Sequence, residues 1–171
     1  MPEAFADLSS WAGTQNGRVT PINCAIGDVE GSLEMIKHDV HTSSSSFLKT
    51  TARCELYYPE TKAKSAIKVA CETLDTAVAR FANGLQPEIL IKVDVQGYEA
   101  RVIQGGKETF LKSKVAILEV SLVPLYESQP TFAQIVKMMD ELEFNYVGSL
   151  EQICNEDGLL LSIDAVFFKR T

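Results

Sequence analysis

The chain has 171 residues, enough for one domain with one sizeable core. Hydrophobic residues make up 46% and charged residues 23%, and no apolar run approaches the roughly 18 residues of a membrane span. A formal net charge of −7 argues against a nucleic-acid groove or an anionic membrane surface, which need concentrated Lys and Arg, and favours a small-molecule partner.

Met1 is followed by Pro-Glu-Ala-Phe-Ala-Asp, neither a basic start nor an apolar stretch, so no signal peptide is read and a cytoplasmic setting is expected. Residues 3–12 predict a short helix with Phe5, Leu8 and Ala12 on one face and Pro2 in the first turn; Trp11 is assigned to packing. Val19 to Ala25 reads as a buried strand that Pro21 confines to an edge or a bulge. Ser32 to His38, Glu55 to Tyr58 and Ala66 to Thr73 have strand character and would form an antiparallel meander. The serine run Ser43 to Ser46 between them is either a flexible loop or a substrate gate.

Thr73 can cap a helix through Phe81 that Asn83-Gly84 stops. Ile89 to Val95 is nearly continuous in apolar β-formers, as expected of a parallel strand buried on both faces. Tyr98 to Leu111 is helical with a break at Gly105-Gly106, and Val115 to Val120 is a second buried strand. Phe132, Ile135, Val136, Met139 and Leu142 fall at helical spacing, and Tyr146 to Gly148 and Ala165 to Lys169 close the chain as strands. This order predicts an α/β domain over residues 1–171 with a mostly parallel sheet and an antiparallel C-terminal strand.

Chemistry is expected at the strand ends. In open α/β sheets, ligands bind beyond the carboxyl ends of the strands. Asp94 ends the most apolar strand, Gly97 allows a tight turn, and Glu99 enters the first turn of the next helix, where its charge is favoured. Asp94 as a turn cap and Glu99 as a helix complement are the plainer alternatives. Glu119 interrupts the strand Ile117 to Val120 and must be hydrogen-bonded, protonated or turned to a cleft. Two such carboxylates can position a hydroxyl and take its proton, or hold a metal, although no complete ligand set is visible. Asn23 to Asp28 ends another strand, where a turn can either cradle a flat ring or be only a turn. His38 and His41 read as exposed or loop histidines, and Cys24, Cys54, Cys71 and Cys154, with no metal-ligand spacing, as buried thiols.

The succession Asn23-Cys24-Ala25-Ile26-Gly27-Asp28, Gly31-Ser32-Leu33-Glu34, the Ser43–Ser46 run, Thr73-Leu74-Asp75, Ile91 to Glu99 and Ala116 to Val120 resembles the FkbM methyltransferases in order and spacing. The resemblance implies a Rossmann-like methyltransferase sheet, S-adenosylmethionine as cofactor, and O-methylation of a small hydroxylated acceptor of sugar or polyketide type. By the same resemblance, Asn23, Cys24 and Ala25 approach the adenine, while Asp94, Gln96, Gly97 and Glu99 lie at the cofactor. Asp94 and Glu119 are then the catalytic candidates. The family often carries Glu where this chain has Gln96, so an acid–base role at 96 is not carried over.

The family opens this domain with a strand, a glycine-rich loop and a second strand ending in an acidic residue. Here Pro2-Glu3-Ala4-Phe5 resembles the family's residues just past that acidic position. The domain is therefore expected to be partial, to lack the first βαβ cofactor-binding segment and to bind the cofactor poorly. The alternative function is a non-catalytic assembly module. An edge of Ile89–Val95 left open would be covered by Val19–Ala25 moving across, by a second copy of the chain or by a companion polypeptide.

Overall fold

The computed structural model describes residues 2–81, 84–86 and 88–171, with residues 2 and 3 described by backbone alone; Asn83, the expected helix stop, lies outside them. Helix α1 spans Pro2–Gly13. Trp11 is 53% exposed on it, so it is not the packing residue expected. The segment read as a strand from Val19 stays irregular through Cys24, and β1 covers only Ala25–Gly27. Pro21 has no N–H to give a ladder, and hydrogen-bonded pairing begins only beyond it.

Strands β2 (Gly31–His38) and β3 (Lys64–Thr73) form the expected antiparallel pair, with Leu33 opposite Val69 and Met35 opposite Ile67. β1 adds to β3 in parallel, giving a three-stranded sheet of order β1-β3-β2. The third strand of the expected meander is instead helix α2, Ala52–Tyr57. The Thr51 hydroxyl accepts the Cys54 N–H at 3.2 Å, and this cap commits residues 52–57 to a helical turn. The serine run is likewise not a free loop. Thr42–Ser44 is a 3-10 turn, and Ile36 and Ser46 exchange backbone hydrogen bonds of 2.8 and 3.1 Å.

Thr73 caps α3 (Leu74–Ala79) by accepting the Thr76 N–H at 3.1 Å. Strands β4 (Ile89–Val93), β5 (Ser113–Ser121), β6 (Phe144–Cys154) and β7 (Leu160–Lys169) form a second sheet of order β4-β5-β7-β6. Only β4–β5 is parallel in it; β5–β7 and β6–β7 are antiparallel, so the described sheets are mixed rather than mostly parallel. The β6–β7 hairpin is much longer than the two short apolar runs suggested, because polar, exposed residues extend β6 to Cys154.

Helices α4 (Glu99–Gly105), α5 (Lys107–Lys112) and α6 (Phe132–Glu141) bury one apolar side of this sheet. Val102, Ile103, Phe110, Ile135 and Met139 meet Ile91, Val93, Ala116, Leu118 and Phe167 in a single core. The break between α4 and α5 falls at the expected glycine pair, and Asp75 reaches across to accept the N–H groups of Glu108 (3.2 Å) and Thr109 (2.8 Å). Thr131 and Gln134 close α6 with a capping box. β4 is not covered on both faces as expected. Leu90 is 58% exposed, and in the same register Phe168 of β7 is 50% exposed. β4 is also the outer strand of its sheet, and Val19–Ala25 does not cover it, because β1 is hydrogen-bonded to β3 instead.

Candidate active site

The register of β4 and β5 builds the site. Val93 pairs with Leu118, so the next residue along each strand, Asp94 and Glu119, emerges beside its neighbour at the carboxyl ends of two parallel strands. They line a cavity of about 270 Å³ with Gln96, Tyr126, Tyr58 and His41. The Gln96 side-chain amide bridges the acids, donating from Nε2 to Asp94 Oδ1 at 3.0 Å and to Glu119 Oε2 at 2.8 Å.

Glu119 is largely buried. Loss of solvation raises its pKa well above the usual carboxylate range, and the bond to Asp94 and that neighbour's charge push it the same way. Glu119 is therefore expected to keep its proton near neutrality. Lys92, beside them on β4, forms an ion pair with Asp164, which lies opposite Glu119 on β7. Its charge partly offsets the rise at Glu119.

The turn carrying these groups is tied from several sides. Gln96 has φ of 54° and Gly97 φ of 90°, left-handed backbone that glycine tolerates and glutamine does not favour. Ser46, from the serine run, holds it by donating from Oγ to the Gln96 carbonyl at 2.8 Å. Glu99 sits beneath the turn at 3% exposure and accepts the N–H of Gly97 at 3.0 Å and of Val95 at 3.4 Å. Burial raises its pKa to about 7 despite those donors.

Asp94, Gln96 and Glu119 thus come together, but Glu99 is folded under their loop and does not line the cavity. Gly97 lines a different groove, between α4 and α6, of about 690 Å³. Asn23, Cys24 and Ala25 line a third hollow of about 530 Å³, walled by Phe5 and Leu8 of α1 and by Met35, Ile67 and Val69 of the three-stranded sheet. The Cys24 thiol donates to Glu72 at 2.8 Å, and burial followed by that bond pushes its pKa to about 12, making it a poor nucleophile.

Tyr58, Tyr126 and Ser162 of the cavity wall had no sequence signal as site residues, whereas Ser44 belongs to the serine run read as a flexible loop or a substrate gate. His41 is exposed as expected, and its Nδ1 lies 2.7 Å from Ser44 Oγ. His38 is not exposed; it is fully buried, and desolvation lowers its pKa. Cys54 and Cys71 are buried thiols, but Cys154 is exposed.

S-adenosylmethionine would fit these residues in part. The hollow beside Asn23 is mostly apolar with one side-chain amide, which suits a flat heterocycle. No glycine-rich loop joins a strand to a helix among the described residues: the β4–α4 turn has the single glycine Gly97, Gly13 and Gly17 follow α1, and Gly105-Gly106 joins α4 to α5.

The chain is α/β with mixed sheets and several helices, consistent with a methyltransferase-like fold. It belongs to the FkbM methyltransferase family, whose Methyltransferase FkbM domain matches residues 3–146. A 60-residue stretch is 42% identical to the 2-O-methyltransferase NoeI of Sinorhizobium fredii (strain NBRC 101917 / NGR234), covering 35% of this chain and 25% of that protein. No solved structure matches. No helix among the described residues is long and apolar enough to cross a membrane.

Proposed function

We propose that the chain forms the acceptor side of an S-adenosylmethionine-dependent O-methyltransferase site for a small polyhydroxylated molecule. The observation that carries this reading is the placement of Asp94 and Glu119 at one height in a cavity whose wall also offers Tyr58, Ser44 and Ser162 hydroxyls. A wall of hydroxyls and acids suits a sugar-like ligand better than an apolar one. The family and the O-methyltransferase name of the NoeI match support the same class of reaction.

Asn23, Cys24 and Ala25 would hold the adenine of the cofactor, which when bound would supply an electrophilic methyl group. The protein's part is to align the acceptor oxygen and take its proton. Asp94 does both, with Gln96 holding its carboxylate and Glu119 keeping a proton next to it. Gly97 and Glu99 shape the turn that presents Asp94.

The test is release of S-adenosylhomocysteine from millimolar S-adenosylmethionine in the presence of methyl glycosides of the common hexoses. Asp94→Asn should lower the rate about 100-fold or more, the scale of a lost acid–base group, with an unchanged melting curve. Equal rates in the two proteins would remove Asp94 from the chemistry. Calorimetry should show cofactor affinity weaker than micromolar.

The open outer side of β4 favours a second reading, a non-catalytic module that assembles by strand addition. Light scattering then gives a fixed oligomer size, through a second copy or a companion chain, and Asp94→Ala changes nothing but stability. A concentration-independent monomer discards this reading.

A further inference from the structure

Gln96 is the neutral group between two acids, and the direction of its amide decides what those acids face. An amide has a donor end and an acceptor end of nearly the same shape. Nε2 meets Asp94 and Glu119, while Oε1 lies 2.9 Å from the Tyr126 hydroxyl. That hydroxyl has a single proton and a second acceptor in reach, the Ser44 carbonyl at 3.0 Å. With the proton given to Gln96, both amide hydrogens stay on the carboxylates. With it given to Ser44, the phenol oxygen is free to accept Nε2, and the amide turns Oε1 toward the acids.

Tyr126 is itself held for this task. It is 3% exposed, and its N–H donates to Gln129 Oε1 at 2.7 Å. Its ring packs so closely on the Gly97 backbone that a Cβ there would stand 3.1 Å from the tyrosine side chain. The Gln96 carbonyl is fixed by Ser46, so the amide is the movable group.

We propose that Tyr126 is a positioning residue: by donating to Gln96 Oε1 it locks the amide with both Nε2 hydrogens on Asp94 and Glu119. The locked amide withholds Oε1 from Glu119 and leaves the pair open to a proton from an incoming hydroxyl. Its purpose rests on the methyl-transfer reading, but its geometry does not.

Tyr126→Phe keeps the ring and deletes the hydroxyl. The readout is a carbon-13 NMR titration of glutamate side-chain carboxyls, with the Glu119 signal assigned through Glu119→Gln. Glu119 also faces Asp94, Glu99 and Lys92, the Tyr58 phenol, Asp164 across the strand pair and His41 on the cavity wall, all of which the substitution retains. In the variant the amide has no anchor at Oε1 and is free to rotate, so the charged form of Glu119 loses a fixed donor and its midpoint should rise by about one pKa unit.

In the wild-type protein, the Gln96 side-chain NH2, assigned by Gln96→Glu, should give two distinct proton signals that exchange slowly with water. A folded Tyr126→Phe variant with an unmoved Glu119 midpoint would reduce Tyr126 to a packing role and overturn the proposal. So would a wild-type Gln96 NH2 that exchanges like a surface glutamine, a result available even if the variant does not fold. Loss of methyl transfer alone bears on the functional reading, because the titration needs neither cofactor nor acceptor.

Discussion

Gly105→Ala should cost about 3 kcal/mol or more of unfolding free energy, seen as a drop of about 1–2 M in the urea midpoint, or should prevent folding. Helix α4 meets β1 at Gly105, and a Cβ there would overlap the Gly27 carbonyl oxygen and stand 3.0 Å from its carbonyl carbon and 3.2 Å from Asp28 Cα. All three atoms are backbone, so no side chain can swing aside. Gly27 cannot retreat freely either: a Cβ on it would already lie 3.1 Å from Cys71 Sγ and from the Tyr98 ring. Relief requires moving α4, and with it the turn that carries Asp94 and Gln96. A loss below about 1 kcal/mol, the ordinary cost of a tolerated change, would show that this contact is looser than the backbone geometry states.

Glu99→Gln should make the protein more stable above neutral pH by up to about 3 kcal/mol and change little below pH 4. Glu99 has its pKa raised from 4.5 to about 7 by burial. A raised carboxyl favours folding while it stays protonated. Above the unfolded value the open chain ionises and the folded one does not, so stability falls as pH climbs from about 4.5 to 7. Glutamine is isosteric with the protonated acid and retains an oxygen for the Gly97 N–H, 3.0 Å away in the wild-type protein. The variant keeps the fall in stability that Glu119 imposes, because that carboxyl is raised as well, from 4.5 to about 8. Melting temperatures from pH 4 to 8 check this; parallel curves for the two proteins would mean that Glu99 ionises in the fold without penalty.

Local pattern made part of this fold legible in the sequence. The nearly continuous apolar runs at Ile89 and Val115 pointed to the parallel pair, and the spacing from Phe132 to Leu142 pointed to α6. Asp94 and Glu119 were readable because each breaks an apolar run at a strand's carboxyl end, and pairing then puts them level. The misread elements turned on single hydrogen bonds. Residues 55–58 look like a strand by composition, but the Thr51 cap starts a helix that takes in residues 55–57. The serine run looked mobile, yet Ser46 is bonded to a residue 50 positions away. Tyr126 was invisible for the same reason: it meets Gln96 across 30 residues, and no local periodicity marks such a contact. Glu99 was placed correctly at the helix start, but nothing local revealed that the chain would close over it.

β4 carries Asp94 and is hydrogen-bonded along one side only, to β5. Half of its amides therefore have no ladder partner among the described residues, and its outer face lets water reach Leu90. Strand pairing reaches Asp94 from one side only, so local opening of that seam would disturb the turn that Ser46 and Glu99 brace before the helices release the core. Amide exchange along residues 89–93 would time that event, and the lifetime of an assembled site would be set there rather than by the melting of the whole molecule.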